Sequence, residues 1–93
     1  MKVKSEVPTV YQLSSISSLC GGWQKQPNGS YKFEDEFDSK TECEAFLYSR
    51  LANLYNSGKI DEDELRGKRE EIGKGYLSYD SAVLTIENDE DYV

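Results

Sequence analysis

DSKTECEAFLYSRLANLYNSGKIDEDELRGKREEI, residues 38–72, specifies two helices joined by a turn at Ser57-Gly58-Lys59-Ile60. Ser39 and Glu42 form a capping box, in which each side chain satisfies a backbone donor that the helix start leaves unpaired. Cys43, Phe46, Leu47, Leu51, Leu54 and Tyr55 then recur at helical spacing and define one apolar stripe. Asn56-Ser57-Gly58 ends this first helix, with Gly58 as its left-handed cap. Asp61 and Glu64 repeat the capping-box pattern, and Ile60 and Leu65 occupy the positions of a hydrophobic staple. Asp61-Glu62-Asp63-Glu64 sets four carboxylates at the positive end of the second helix, and Arg66, Lys68, Arg69 and Lys74 follow where cations are favoured. Glu62–Arg66 and Glu64–Lys68 are spaced as i,i+4 ion pairs. The apolar face here is thin, only Leu65, Ile72 and Tyr76. The second helix is therefore expected at the surface, as a likelier contact for a partner than the first.

Upstream of this pair, Gly22–Phe37 reads as a β-hairpin. Trp23–Gln26 is its first strand, Pro27-Asn28-Gly29 its turn and Ser30–Phe37 its second strand. Tyr31, Phe33 and Phe37 share one face, interrupted by Asp35, while Lys32, Glu34 and Glu36 share the other. A two-stranded hairpin is not stable alone, so the aromatic face must pack on helices. Thr9 is a candidate N-cap with Gln12 as its partner, and Val10, Leu13, Ile16 and Leu19/Cys20 suit a helix up to Gly21. Four interspersed serines argue against that helix, and an irregular strand is the alternative. Residues 1–7 read as a flexible lead-in before Pro8. Within Tyr76–Asn88, Asp80 is read as the cap of a short helix through Ser81-Ala82-Val83-Leu84, with Val83–Ile86 as a third strand of the hairpin the alternative. Residues 88–93 read as an acidic, mobile tail. The expected architecture is one α+β domain over residues 1–93: a β-hairpin, or three strands, packed on two or three helices.

Ninety-three residues allow one small core, and an aromatic share of 12% supplies large buried areas for it. Eighteen acidic against eleven basic residues, net −7, argue against direct nucleic-acid binding through a basic face and against attraction to an anionic membrane. No apolar run is long enough to span a bilayer, and no apolar segment follows Lys2 and Lys4, so a cytoplasmic protein with reduced Cys20 and Cys43 is expected. Cys43, on the apolar stripe, reads as a small buried residue. Asn28-Gly29-Ser30 matches a glycosylation sequon but is read as a turn.

The absence of histidine removes Ser-His-Asp and Cys-His couples and His-bearing metal sites. Gly21-Gly22 lacks the residues of a phosphate loop, and Asp61–Glu64 lacks the ligand spacing of an EF-hand. No catalytic residue, cofactor or metal is expected. Carboxylates such as Glu34/Glu36, Asp35 and Asp38 would act as acid and base only within a cleft that shifts their pKa values.

Charge distribution points elsewhere. Glu34, Asp35, Glu36, Asp38, Glu42 and Glu44 have Lys40 alone among them, and Asp61, Glu62, Asp63 and Glu64 add a second run. Residues 1–33 carry Lys2, Lys4, Lys25 and Lys32 against Glu6. If the two acidic runs adjoin, they form one surface in which carboxylates stand in for phosphates. The expected function is a non-enzymatic acidic binding protein that occupies a basic surface of a larger protein. Its most concrete form is a nucleic-acid-mimicking inhibitor of a DNA- or RNA-binding enzyme such as a nuclease, of the phage anti-restriction or anti-CRISPR type. That comparison rests on size, acidity and missing catalytic residues, not on a motif. The competing explanation is that these charges only solvate and cap helices. Rival functions are a small adaptor or assembly subunit held by tyrosines (Tyr48, Tyr55, Tyr76, Tyr79) and helical surface, a homodimeric regulator, and a small carboxylate enzyme.

Overall fold

The computed structural model describes residues 1–16, 19–80 and 82–88. The elements run β1 (Lys2–Val7), α1 (Val10–Ser15), β2 (Gln24–Lys25), β3 (Tyr31–Glu36), α2 (Lys40–Asn56), α3 (Glu62–Gly73), β4 (Tyr76–Tyr79) and β5 (Ala82–Glu87). The strands form one antiparallel sheet in the order β2-β3-β1-β5-β4. Register sorts each strand onto two faces. Val3, Ser5 and Val7 lie opposite Asp35, Phe33 and Tyr31, and Lys2, Lys4 and Glu6 lie opposite Glu36, Glu34 and Lys32. The first set faces the helices and the second faces outward, so this is an α+β domain of two layers.

Two expectations are corrected. Residues 2–7 are no lead-in but the central strand β1, paired on both sides. Their alternation is hard to see because Ser5 stands on the buried face between Val3 and Val7. Its Oγ has no hydrogen-bond partner among the described residues. Among the described residues of 76–87 there is no helix. They form the hairpin β4–β5, reversing at Asp80 with φ 54°, and β5 pairs with β1 instead of extending the β2–β3 hairpin. Ala82, Leu84 and Ile86 point inward at period two while Val83 and Thr85 point out, which is strand spacing. The α1 helix keeps its predicted start: Thr9 Oγ1 accepts from the Gln12 amide at 3.2 Å. It stops after six residues. The tail at 89–93 lies outside the described residues.

The central helix pair follows the sequence closely. Ser39 Oγ accepts from the Glu42 amide at 3.2 Å, and Asp61 Oδ1 accepts from the Glu64 amide at 2.9 Å. Gly58, at φ 77°, closes α2 while the Lys59 amide donates to Leu54 O at 2.9 Å, a backbone reversal that a side chain at 58 would strain. Along α2, Cys43, Leu47, Leu51 and Leu54 are buried, and they meet Val3, Phe33, Leu77 and Leu84 of the sheet in one core. Each buried leucine contributes about 1.5–3 kcal/mol by removal of apolar surface from water. A smaller cluster of Val7, Ile16 and Ala82 fills the end under α1.

Because α3 has only Ile72 fully buried, packing alone fixes it weakly. Its polar side chains add a second attachment. Lys68 Nζ donates to Ser78 O at 2.6 Å, and Glu71 Oε1 accepts from the Ser78 amide at 2.9 Å. The Ser78 hydroxyl also donates to Glu71. The expected Glu64–Lys68 pair is absent because Lys68 serves β4, and Arg66 pairs with Asp63 instead of Glu62.

Candidate binding surface

The ten predicted carboxylates fall into two groups. Glu34 and Glu36 project from the outward face of β3, and Asp35 from its other face at the exposed sheet margin. Asp38 precedes the cap of α2, and Glu42 and Glu44 lie in its first turns. Aromatic packing ties these together. Phe46 of α2 stacks on Phe33 (centroids 5.8 Å apart, planes at 10°) and tilts against Phe37 at 5.4 Å, which holds the start of α2 over the end of β3. The Arg50 guanidinium lies 5.5 Å from the Phe46 ring centre on the next helical turn.

Asp61, Glu62, Asp63 and Glu64 stand at the other end of α2. The Tyr55 hydroxyl, near the helix terminus, donates to Glu62 at 3.4 Å. From Glu42 to Tyr55 the helix advances about 20 Å at its usual rise. The two runs therefore form two acidic poles, not one continuous surface. Whether they adjoin depends on the length of α2, which the charge pattern alone does not reveal.

The poles differ in how far they are neutralised. Glu34 pairs with Lys2 and Lys32, each at 3.4 Å. Hydrogen bonds from Lys32 first and Lys2 second hold its carboxyl below the ordinary value of 4.5. Asp63 pairs with Arg66, and Asp61 is engaged as a cap. Among the described residues, Asp35, Glu36, Asp38, Glu42 and Glu44 carry no ion pair, so the β3–α2 pole presents the larger uncompensated charge. Burial pushes the Cys20 thiol from 9.0 up to about 11, although Arg50 and the Trp23 indole act in the opposite direction. It therefore stays protonated at neutral pH and is a poor nucleophile.

Of the outward sheet face, the sequence showed Lys32, Glu34 and Glu36 of β3 but not the residues that β1 and β5 set beside them. Lys2, Lys4 and Lys32 interleave there with Glu6, Glu34, Glu36 and Glu87, and Lys4 reaches Glu87 at 3.7 Å. This ladder is nearly balanced in charge, and it becomes visible only once residues 2–7 are known to be a strand. A groove of about 430 Å³ lies beside it, lined by Gly22, Gln24, Gln26, Lys32, Glu34 and Glu36. Another, of about 270 Å³, runs between α2 and α3, with Tyr48, Leu51, Tyr55, Leu65 and Arg69 among its walls. Of the four tyrosines singled out from the sequence, Tyr48 is exposed, Tyr55 lines this groove, Tyr76 is half-buried at the start of β4 and Tyr79 packs against the core. Among the described residues no group of three or more Cys, Asp or Glu is placed to hold a metal ion, and no helix is long and apolar enough to cross a membrane.

Comparison of the chain with protein-family models, with curated proteins and with solved structures gives no match.

Proposed function

We propose that this chain is a non-enzymatic acidic binding protein that occupies a basic surface of a larger protein. The observation that carries the reading is the β3–α2 pole, where Asp35, Glu36, Asp38, Glu42 and Glu44 are unpaired among the described residues and all but half-buried Glu44 are exposed. Unpaired surface carboxylates gain little from intramolecular contacts, and they attract a complementary basic surface over a Debye length. The concrete form is a nucleic-acid-mimicking inhibitor of a DNA- or RNA-binding enzyme, of the phage anti-restriction or anti-CRISPR type, acting in the cytoplasm. Two acidic poles about 20 Å apart match about six phosphate steps along one strand.

The test is capture of partners from the source cell at low and high salt, followed by competition with duplex DNA. A partner with a basic groove, steeply salt-sensitive affinity and displacement by DNA are expected. Neutralising the pole with Asp35→Asn, Glu36→Gln, Asp38→Asn and Glu42→Gln should weaken binding by about tenfold or more, since each 1.4 kcal/mol is a factor of ten. Partners without basic grooves, or salt-independent binding, would overturn the reading.

The α2–α3 groove favours a second reading, an adaptor that docks through tyrosines. Exposed Tyr48 and half-buried Tyr55 there offer area with a polar tip. Under this reading the four neutralising substitutions change little, while Tyr48→Ala abolishes capture.

A further inference from the structure

We propose that the open edge of β3 at Glu34 and Glu36 is a strand-addition site, which takes an extended basic segment of a partner protein. The proposal rests on the basic-surface reading above and states how the partner is held.

Backbone direction supplies the first observation. The Phe37 amide donates to Met1 O at 2.8 Å, and the Met1 nitrogen donates to Phe37 O at 3.1 Å, so the backbone at position 37 aims at β1. Alternate residues of an antiparallel strand aim their N–H and C=O to opposite sides. Glu36, Glu34 and Lys32 therefore aim away from β1. The Gln26 amide agrees, reaching Ser30 O at 2.8 Å on that side.

The covering strand is too short to use all of these groups. Its pairing consists of Gln24 with Lys32 and Lys25 with Tyr31. Gly22, just before it, has φ 86° and lies beside the groove without pairing with β3. Among the described residues nothing pairs with the outward backbone groups of Glu34 and Glu36, and the 430 Å³ groove lies beside them. The opposite edge of the sheet is treated differently, because Lys68 and Glu71 occupy the outward backbone of Ser78.

Charge selects the occupant. Glu34 is already paired with Lys2 and Lys32, so an added strand would meet the uncompensated carboxylates of Glu36 on one face and Asp35 on the other, with Asp38 just beyond. Lysine and arginine side chains on the incoming segment suit that edge, and backbone hydrogen bonds hold it. A second copy of this chain does not suit it. Antiparallel pairing of β3 with its own copy would set glutamates against glutamates, and like charges directly opposite are destabilising.

The test uses the intact protein and three short blocked peptides: alternating Lys and Thr, alternating Glu and Thr, and the Lys/Thr peptide N-methylated at alternate amides. Binding and amide exchange at Glu34 and Glu36 are read by NMR. The basic peptide should bind and slow exchange at both amides, while the acidic and N-methylated peptides should not bind. Glu36→Pro removes one outward donor and leaves the β1 ladder intact, since proline is tolerated on an edge whose N–H faces solvent. It should weaken the basic peptide by about tenfold. If this variant fails to fold, judged by circular dichroism, the N-methylated peptide on the unsubstituted protein still decides. Salt-sensitive binding that leaves both amides at their free exchange rates, or equal binding of the N-methylated peptide, would overturn strand addition while the basic-surface reading stands. Absence of any binding would also overturn it. Protection of both amides in the free protein, together with a dimer in sedimentation, would assign the edge to a second copy and overturn the proposal.

Discussion

On β4, the backbone of Ser78 is met from the side by Lys68 and Glu71 of α3, and on β3 the corresponding groups of Glu34 and Glu36 have no partner among the described residues. Both strands lie toward the margins of one sheet. An unpaired edge is a template for association, and proteins blunt such edges with covering elements or charges. This chain uses one device on each side. α3, thinly apolar and unable to contribute much core, closes the β4 edge with its polar face. The β3 edge leaves the outward groups of Glu34 and Glu36 unpaired among the described residues and sets carboxylates around them, which discourage self-association; we propose that a basic strand takes them. The better-capped helix thus serves as a seal, and the exposed acidic pole sits on the other side of the molecule's central strands.

The largest perturbation should hit both edges together. Leu84 on β5 is fully buried in the core below the sheet. Leu84→Ala should cost about 2–5 kcal/mol by lost burial and a residual cavity. Thermal or denaturant unfolding measures it, and amide exchange should accelerate at β3 and β4 alike. Next comes Glu71→Ala, which removes the acceptor of the Ser78 amide and hydroxyl. The half-buried amide left unpaired should cost about 1–3 kcal/mol. Ser78 exchange should rise toward that of an open edge while the Glu34 and Glu36 amides stay as they were. Retained protection at Ser78 would show that another group seals β4.

The smallest effect concerns pH. The Glu34 carboxyl is lowered from 4.5 by Lys32 and then Lys2, so the folded state favours its ionised form. That contribution is fully present above pH 4.5 and is lost as pH falls through the lowered folded value. Glu34→Gln should therefore flatten the acid limb of the stability curve and leave its shape near neutral pH unchanged. Because the group is exposed, the shift in acid midpoint should be slight.

Much of this was legible in residues 38–72, because the Ser39 and Asp61 N-caps, the Gly58 reversal and the α2 stripe are local signals that tertiary packing did not override, although the reciprocal Glu42 and Glu64 halves of the expected capping boxes do not form among the described residues. The faces of β3 were equally readable from the alternation of Tyr31, Phe33 and Phe37 with Lys32, Glu34 and Glu36. Residues 2–7 and 76–87 were not, since a strand is stabilised by partners distant in sequence. Ser5 broke the apolar alternation of β1, and mixed spacing around Val83 let a helix compete with β5. The candidate carboxylates could each be placed at the surface from sequence. Their division into two poles required the length of α2, and the open edge required knowing that β1, and not the C-terminal segment, pairs with β3.

Native-state amide exchange of the free protein compares the two edges most directly. The Ser78 amide should be protected, and the Glu34 and Glu36 amides should exchange quickly between slow neighbours at Phe33 and Asp35. Equal protection at Ser78, Glu34 and Glu36 would contradict this.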